Sequence, residues 1–266
     1  MKIKNLIAVL LLFSVVIACS TVAITGRKQL NFIPNSEMLS MSFQEYNNFL
    51  KSNKLSADKQ NTALIKKVGS KIQMAVENYF AQKKKSSQLK GFQWEFNLVE
   101  SPEINAWCMP GGKVVFYTGI LPVCQGEEGI AVVMGHEIAH AIAEHGSERM
   151  SQGLLTQLGG MALDKALESK PSETRELWMT AFGLGAQLGV LLPYSRLHES
   201  EADHLGLIFI AMAGYDPNIS IDFWQRMAKM SSGQKPPEFL STHPSDQTRI
   251  NDLKKLIPEA MQYYKK

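Results

Sequence analysis

The sequence predicts a mainly helical α+β fold with a small antiparallel sheet, and two patterns support this. Apolar residues recur at intervals of three and four over most of the chain, which is typical of helices packed on a core. Residues 92–100 and 104–119 instead carry β-branched and aromatic residues, with a Pro110-Gly111-Gly112 turn in the second stretch. This pattern predicts a short strand followed by a hairpin. With 266 residues, 45% of them hydrophobic, the chain can bury a full core, which excludes a disordered or disulfide-scaffold class.

Helices are predicted both before and after this sheet in the chain. One stretch, residues 177–193, is apolar enough to raise the question of a membrane span. It is shorter than the roughly 20 residues that a span needs, and Gln187 interrupts it, so we expect a buried or groove-lining helix instead. The predicted helices cover residues 36–51, 57–80, 126–150, 151–169, 172–192, 195–213, 217–230 and 245–257.

The N-terminus predicts a lipid-attached secretory leader. Two lysines precede an apolar run over residues 6–18, and the run ends in the letters VIAC at Cys19, which resemble the bacterial lipobox. Residues 1–18 are therefore predicted to be a lipoprotein signal peptide, Cys19 the acylated residue and residues 19–35 a lipid-anchored tether. Ser20 at the next position favours the outer membrane under the sorting rules of such motifs. The alternative is an ordinary cleaved signal with a chance cysteine.

Charge and cysteine content narrow the class further. A formal net charge of +3, with two of the lysines in the predicted leader, gives no electrostatic footprint for nucleic acid. If Cys19 carries lipid, Cys108 and Cys124 remain. In an oxidising periplasm these two could form a disulfide or stay as buried free thiols, and their spacing does not decide between the two.

Residues 135–146, GHEIAHAIAEHG, contain the HExxH pattern of zinc hydrolases. On a helix, His136 and His140 lie one turn apart on the same face and can bind one zinc ion. Glu137 beside them can take the proton of a water whose pKa the zinc lowers. The other face of this stretch is apolar, as expected of a helix pressed against a core. An active-site helix is therefore favoured over two histidines that merely pack.

The third metal ligand has to come from another helix. His145 lies about 140° further round the helix than the second histidine, and the residues after HExxH do not have the metzincin spacing. In SRLHESEADHLG, Glu199 and Glu201 point about 200° apart, so only one of them can face the metal. Asp203 shares the face of Glu199 and can accept the N–H of a zinc-bound histidine. We therefore predict Glu199 as the ligand, Asp203 as its hydrogen-bonding support and Glu201 as a solvated or structural glutamate.

HEIAH, followed some sixty residues later by ESEAD, resembles metallopeptidase family 48, which includes HtpX, the CAAX prenyl proteases and the Oma protease. With a lipoprotein leader and no convincing span, the chain is most similar to the periplasmic lipoprotein branch that includes BepA and LoiP. TGRKQL near the start and THPS near the end extend the resemblance over residues 20–255. It implies a gluzincin-type protease domain over residues 36–266 with one Zn2+ per chain, and it matches Glu199 to the glutamate of the family's ExxxD motif.

The resemblance also implies residues for substrate binding and control. Asn105 and Ala106 occupy the family's substrate strand, along whose edge an extended peptide can pair. The alternative is an ordinary edge strand whose Asn105 only caps a turn. His243, in a late loop, corresponds to a histidine near the zinc of related lipoproteases, which implies a catalytic or an autoinhibitory role. A structural histidine is the alternative.

Together these features predict a zinc-dependent endopeptidase that degrades misfolded or misassembled cell-envelope proteins, with Glu137, Asp203 and His243 in catalysis. Its partners would be those substrates and the membrane, reached through an N-terminal lipid on the periplasmic face of the outer membrane. An alternative from another class is an assembly or holdase factor that has a chaperone-like role beside the outer-membrane assembly machinery and cleaves rarely. Binding of unfolded protein by a zinc-free variant would distinguish the two.

Overall fold

The computed structural model describes residues 19–22, 24–187, 191–231, 237–244 and 246–264, so the predicted signal peptide lies outside the described residues. In chain order the elements are β1 (Cys19–Thr21), β2 (Lys28–Leu30), α1 (Asn35–Ser52), α2 (Lys59–Gln82), β3 (Glu95–Val99), β4 (Ala106–Met109), β5 (Lys113–Tyr117), α3 (Leu121–Cys124), α4 (Glu127–Ile142), α5 (His145–Ala166), α6 (Ser172–Ala186), α7 (Leu192–Met212), α8 (Ile219–Ser231), α9 (Glu238–Thr242) and α10 (Gln247–Ala260).

The chain divides into two compact units. The first comprises residues 1–35 and 144–197, and the second comprises residues 36–143 and 198–266. Residues 144–197, which were predicted to lie in one protease domain over residues 36–266, therefore group with the N-terminal segment. That segment was predicted as a tether, but its residues 19–30 include the two short antiparallel strands β1 and β2.

The second unit holds a three-stranded sheet in the order β3-β5-β4. β4 and β5 form the predicted hairpin, whose turn contains Gly111 and Gly112 at φ +87° and +84°, a backbone conformation that glycine adopts without strain. β3 runs parallel to β5, so the sheet is mixed rather than wholly antiparallel as predicted. Cys108 in β4 and Cys124 in α3 are free thiols, which is the alternative without a disulfide.

Two glycines allow α4 and α7 to pack closely within the second unit. A Cβ on Gly206 of α7 would lie 3.1 Å from the backbone of Gly135 and His136 in α4. A Cβ on Gly135 would in turn lie 2.6 Å from a methyl group of Ile210. Because neither glycine carries a side chain, the helix that carries HExxH and the helix that carries ExxxD touch through their backbones.

The predicted helix over residues 126–150 is wrong in its length, because it is broken between α4 and α5. Glu144 has φ +58°, a left-handed conformation that stops the first helix. In the first unit its carboxylate accepts hydrogen bonds of 3.0 Å from the side-chain amides of Gln29 and Asn31. These contacts come from residues more than a hundred positions earlier, which helical periodicity cannot detect.

The stretch over residues 177–193 was predicted to be a buried or groove-lining helix. Leu177, Trp178 and Leu184 are 69%, 56% and 55% exposed, so its described part is not buried. Gly183, Ala186, Gln187 and Leu191 line a cavity, which is the groove-lining alternative. Among the described residues, the structure contains no helix that is both long enough and apolar enough to cross a membrane.

Candidate active site

Four side chains converge in the second unit from three separate parts of the chain. His136 and His140 come from α4, Glu199 comes from α7, and His243 follows α9. One potential ligand atom from each lies within 4.8 Å of the others, and all four residues are buried. The helical spacing places the two α4 histidines on one face, and the glycine contact with α7 brings the glutamate to that face.

The distances within this cluster fit one zinc ion. His136 Nε2 and His140 Nε2 are 3.1 Å apart, and the two carboxylate oxygens of Glu199 lie 3.3 Å and 3.2 Å from them. Tetrahedral ligands about 2.0–2.1 Å from a zinc ion would lie about 3.3 Å from one another. Two imidazoles and a carboxylate are also the donor types that zinc prefers. The donor set therefore fits a zinc site.

His243 lies inside the cluster. Its Nδ1 is 3.0 Å from both carboxylate oxygens of Glu199 and 3.1 Å from His136 Nε2. Its Nε2 is 3.4 Å from Glu137 Oε1. The ring packs on Phe239, with 4.7 Å between the ring centroids. The structure thus places His243 against both the predicted ligands and the predicted general base.

Asp203 contacts His136 on the side of the ring that faces away from the other proposed ligands. Its Oδ1 lies 3.0 Å from His136 Nδ1, so the carboxylate can accept the ring N–H and direct Nε2 towards the cluster. Asp203 also accepts two hydrogen bonds from Arg249, of 2.8 Å from Nε and 2.7 Å from Nη2. This is the arrangement that the four-residue spacing from Glu199 predicts.

Arg249 is a site residue that the sequence patterns did not predict. Besides its hydrogen bonds to Asp203, Arg249 donates one from Nη1 to the carbonyl oxygen of Pro244, 2.9 Å away. Pro244 is the residue that follows His243. Its guanidinium lies 3.4 Å from the ring centroid of Trp224. A signal was present in the sequence, because Arg249 falls on the apolar face of α10 four residues before the buried Leu253. A charged residue on such a face needs a buried partner.

Burial and the neighbouring charged groups together set the pKa values of the side chains in the cluster. Burial would raise the pKa of Glu199, yet the three surrounding histidines hold it well below its ordinary value. Burial lowers the pKa of His140 well below 6.5, which leaves a neutral ring with a lone pair for a metal. At His136 burial acts in the same direction, but the Asp203 and Glu199 carboxylates outweigh it and raise the pKa to about 9. The buried Glu199 carboxylate therefore stays charged at a point that suits a cation.

The remaining predicted residues occupy different positions. Glu201 is buried, which excludes the solvated alternative, and it lies outside the four-residue cluster. His145 opens α5 in the first unit and is likewise not part of the cluster. Asn105 immediately precedes β4, and its side chain accepts the Ala106 N–H at 2.9 Å, as a capping residue would. β4 is an edge strand of the sheet, as pairing with a substrate requires. The substrate-strand role of Asn105 and Ala106 itself stays a prediction.

Comparison with known proteins places this geometry in a family. The model of peptidase family M48 matches residues 66–257. The chain is 38% identical over 180 residues to the mitochondrial metalloendopeptidase OMA1 of Schizosaccharomyces pombe. The aligned region covers 65% of this chain and 50% of that relative. It is 36% identical to the OMA1 of Saccharomyces cerevisiae over 192 residues, covering 67% and 51%.

A bacterial relative is also similar. The chain is 30% identical over 166 residues to the beta-barrel assembly-enhancing protease of Yersinia pestis, covering 60% of this chain and 34% of that protein. The chain thus spans about half the length of the fungal relatives and about a third of the bacterial one. Because the family model covers most of the sequence and includes both HExxH and the ExxxD helix, the chain belongs to peptidase family M48.

Proposed function

We propose that the protein is a zinc-dependent endopeptidase that degrades misfolded or misassembled proteins of a bacterial cell envelope. The observation that carries this proposal is the convergence of His136, His140 and Glu199 beside Glu137 in a buried cluster. The names of the relatives, which describe metalloendopeptidases and an assembly-enhancing protease, support it.

The chemistry follows from the positions of these side chains. His136, His140 and Glu199 would hold the zinc, which when bound lowers the pKa of water and polarises a carbonyl group. Glu137, next to the first ligand on α4, would accept the proton of the attacking water and pass it to the leaving amine. Asp203 keeps the ring of His136 in the orientation that binding requires.

The substrate would lie along β4. An extended peptide can pair its backbone with an edge strand and thereby present its scissile bond in a fixed register. Asn105 and Ala106 begin this edge, and Cys108 lies on the same strand. Burial, and secondarily the carboxylate of Glu137, raise the pKa of the Cys108 thiol well above its ordinary value. β4 packs against α4, the helix that carries Glu137, so this edge is suitably placed to deliver a peptide to the proposed base.

The envelope location rests on the N-terminal sequence. Cys19 would carry lipid and hold the protein on the outer membrane, facing the periplasm. Since the OMA1 relatives are named as mitochondrial, similarity to them does not supply the compartment. Cys19→Ala should abolish lipid attachment and release the protein from the membrane fraction. Continued sedimentation with membranes would point to an apolar anchor in place of the lipid.

Glu137→Gln tests the enzymatic proposal. The variant should retain about one zinc per chain, because Glu137 is not a ligand, and it should lose cleavage of an unfolded protein such as casein. Glu128→Gln, in the first turn of the same helix, is the matched control and should retain both. Loss of zinc from the Glu137 variant would show that the assignment of roles is wrong.

We further propose that His243 is autoinhibitory and keeps the resting enzyme inactive. Its Nδ1 lies among the ligand atoms, where it would be a fourth ligand and would exclude the attacking water. His243→Ala should therefore raise basal cleavage of casein, with His204→Ala as the control. A fall in turnover by orders of magnitude with zinc retained would instead assign His243 to oxyanion stabilisation, a contribution of roughly 2.7–4 kcal/mol.

A chaperone-like role in outer-membrane protein assembly is the second candidate, and the name of the Yersinia relative favours it. The Glu137→Gln variant separates the two functions, because it should keep the fold while losing cleavage. If that variant still suppresses aggregation of an unfolded outer-membrane β-barrel protein and restores its assembly in cells, the chaperone-like role stands beside proteolysis. If it does neither, proteolysis alone accounts for the function.

A further inference from the structure

The first unit contains a cavity of about 510 Å³ that the proposed function does not use. Sites for small ligands typically enclose roughly 300–1,000 Å³, so this volume is that of a binding site. Arg149, Gln152 and Thr156 of α5 line it, and their spacing of three and four residues places them on one helical face. That face is the one that packs on α6, because a Cβ on Gly159 would lie 3.1 Å from the ring of Phe182.

Gln152 is the buried polar side chain of this lining. It is only 5% exposed, and its Nε2 has no hydrogen-bond partner among the described residues. Buried side-chain donors are nearly always paired, because an unpaired donor has lost its hydrogen bonds to water. The hydroxyl group of Thr156, one turn further along, donates instead to the backbone carbonyl of Gln152 at 2.9 Å. The carboxamide of Gln152 can therefore donate to an acceptor atom of a ligand.

The charge of the lining is positive. Arg149 is exposed, and no other described residue forms an ion pair with it. The acidic residue before it, Glu148, is paired with Arg27 at 2.8 Å. None of the described residues that line the cavity is acidic. Because a guanidinium group pairs with a carboxylate through two parallel hydrogen bonds, the lining favours an anionic ligand and suits a carboxylate in particular.

The other polar groups of the lining distinguish between anions. Gln187 adds a second carboxamide to that of Gln152, and Thr156 and Ser195 add hydroxyl groups. Carboxamides and hydroxyl groups both donate and accept hydrogen bonds. An inorganic phosphate ion offers mainly acceptor oxygens, whereas the end of a polypeptide carries N–H groups beside its carboxylate. The mixture of donors and acceptors therefore favours a peptide.

We infer that this cavity binds the carboxyl-terminal end of a polypeptide whose last side chain is apolar. Arg149 and Gln152 lie one turn apart on α5, where both can donate to one carboxylate group. Ala186 and Leu191 supply apolar surface for the side chain. The inference depends neither on the zinc site nor on proteolysis, since every lining residue named belongs to the first unit.

Isothermal titration with the peptide N-acetyl-Ala-Ala-Leu tests this site. The full chain carries Glu137→Gln and is freed of zinc by a chelator, so neither cleavage nor binding of the carboxylate to zinc contributes. We expect the peptide acid to bind about tenfold more tightly than the same peptide with a carboxyl-terminal amide, because the amide cannot pair with a guanidinium group. Equal binding of the two peptides, or no binding of the acid at millimolar concentration, would overturn the inference.

Substitutions in the lining locate the binding. Arg149→Gln and Gln152→Leu should each weaken binding of the peptide acid about tenfold. Arg196→Gln, at an exposed arginine of the same unit outside the lining, should leave it unchanged. Gln152→Leu removes an unpaired amide at similar volume, so the urea midpoint of the peptide-free protein should not fall. A lower midpoint would show that the amide serves the fold. That result, unchanged affinity in both lining variants, or displacement of the peptide by an equal concentration of inorganic phosphate would each overturn the assignment.

Discussion

Arg249→Met should destabilise the second unit strongly, although Arg249 is not a metal ligand. Its guanidinium makes two hydrogen bonds with Asp203 and one with the carbonyl group of Pro244. The side chains of Arg249 and Asp203 are only 8% and 6% exposed. Methionine would fill a similar volume but would leave the Asp203 carboxylate buried with His136 as its main partner.

The magnitude follows from this burial. Removing one partner of a buried ion pair costs about 3–5 kcal/mol, because the remaining charge is left uncompensated. Burial would raise the pKa of Asp203, but Arg249, together with His136, lowers it below its ordinary value. Because Asp203 also orients His136, the affinity for zinc should fall by about 10–100-fold.

Equilibrium unfolding in urea, with zinc removed by a chelator, measures the effect on stability, and titration with zinc measures the affinity. Lys255→Met is the matched control on the same helix: it removes the same charge, but its pair with Asp252 is 75% and 50% exposed. We expect a change of at most about 1 kcal/mol there. In the double variant Arg249→Met with Asp203→Asn, the loss should be smaller than the sum of the single losses. Equal effects of Arg249→Met and Lys255→Met would refute the reasoning.

Three further predictions concern the metal ligand on α7, the contact between α4 and α7, and the ion pairs of Glu127 at the start of α4. Glu199→Ala should lower the zinc content measured by metal analysis, whereas Glu201→Ala should not, and the reverse would contradict the assigned faces. Gly206→Ala should weaken zinc binding because its methyl group would push α7 from α4; Gly153→Ala, with open space around it, should not. Lys67, helped by Tyr215 and Lys71, lowers the pKa of Glu127 from 4.5 to about 2. Glu127 therefore stabilises the fold above pH 4.5, and this stabilisation is lost as the pH falls towards 2. In urea titrations at pH 7, Glu127→Gln should cost about 1–2 kcal/mol, a value reduced because the lysines are partly exposed, and the difference from the native chain should vanish near pH 2.

Local patterns in the sequence predicted much of the site. His136, Glu137 and His140 follow from four-residue helical spacing, and the same spacing distinguished Glu199 with Asp203 from Glu201. The hairpin followed from its Pro-Gly-Gly turn. Each of these depends on residues that are close in the chain, where backbone geometry fixes the relation between side chains.

Arg249, the break at Glu144 and the exposure of the apolar residues Leu177, Trp178 and Leu184 of α6 were not predicted. The charge of Arg249 has a meaning only beside Asp203, which is 46 residues earlier in the chain. Glu144 ends its helix in a left-handed conformation, and its side chain contacts Gln29 and Asn31 more than a hundred positions earlier. An apolar helix stripe in the sequence is the same whether it is buried or exposed.

The sequence by itself determined the metal-binding residue types and the faces on which they lie, because a helix repeats every 3.6 residues whatever surrounds it. Only the tertiary structure decided that α4 and α7 meet at Gly135 and Gly206, and how closely His243, which the family resemblance had placed near the zinc, approaches the other ligands. Those distances depend on how side chains pack between elements that are far apart in the chain. Backbone periodicity contains no information about such packing.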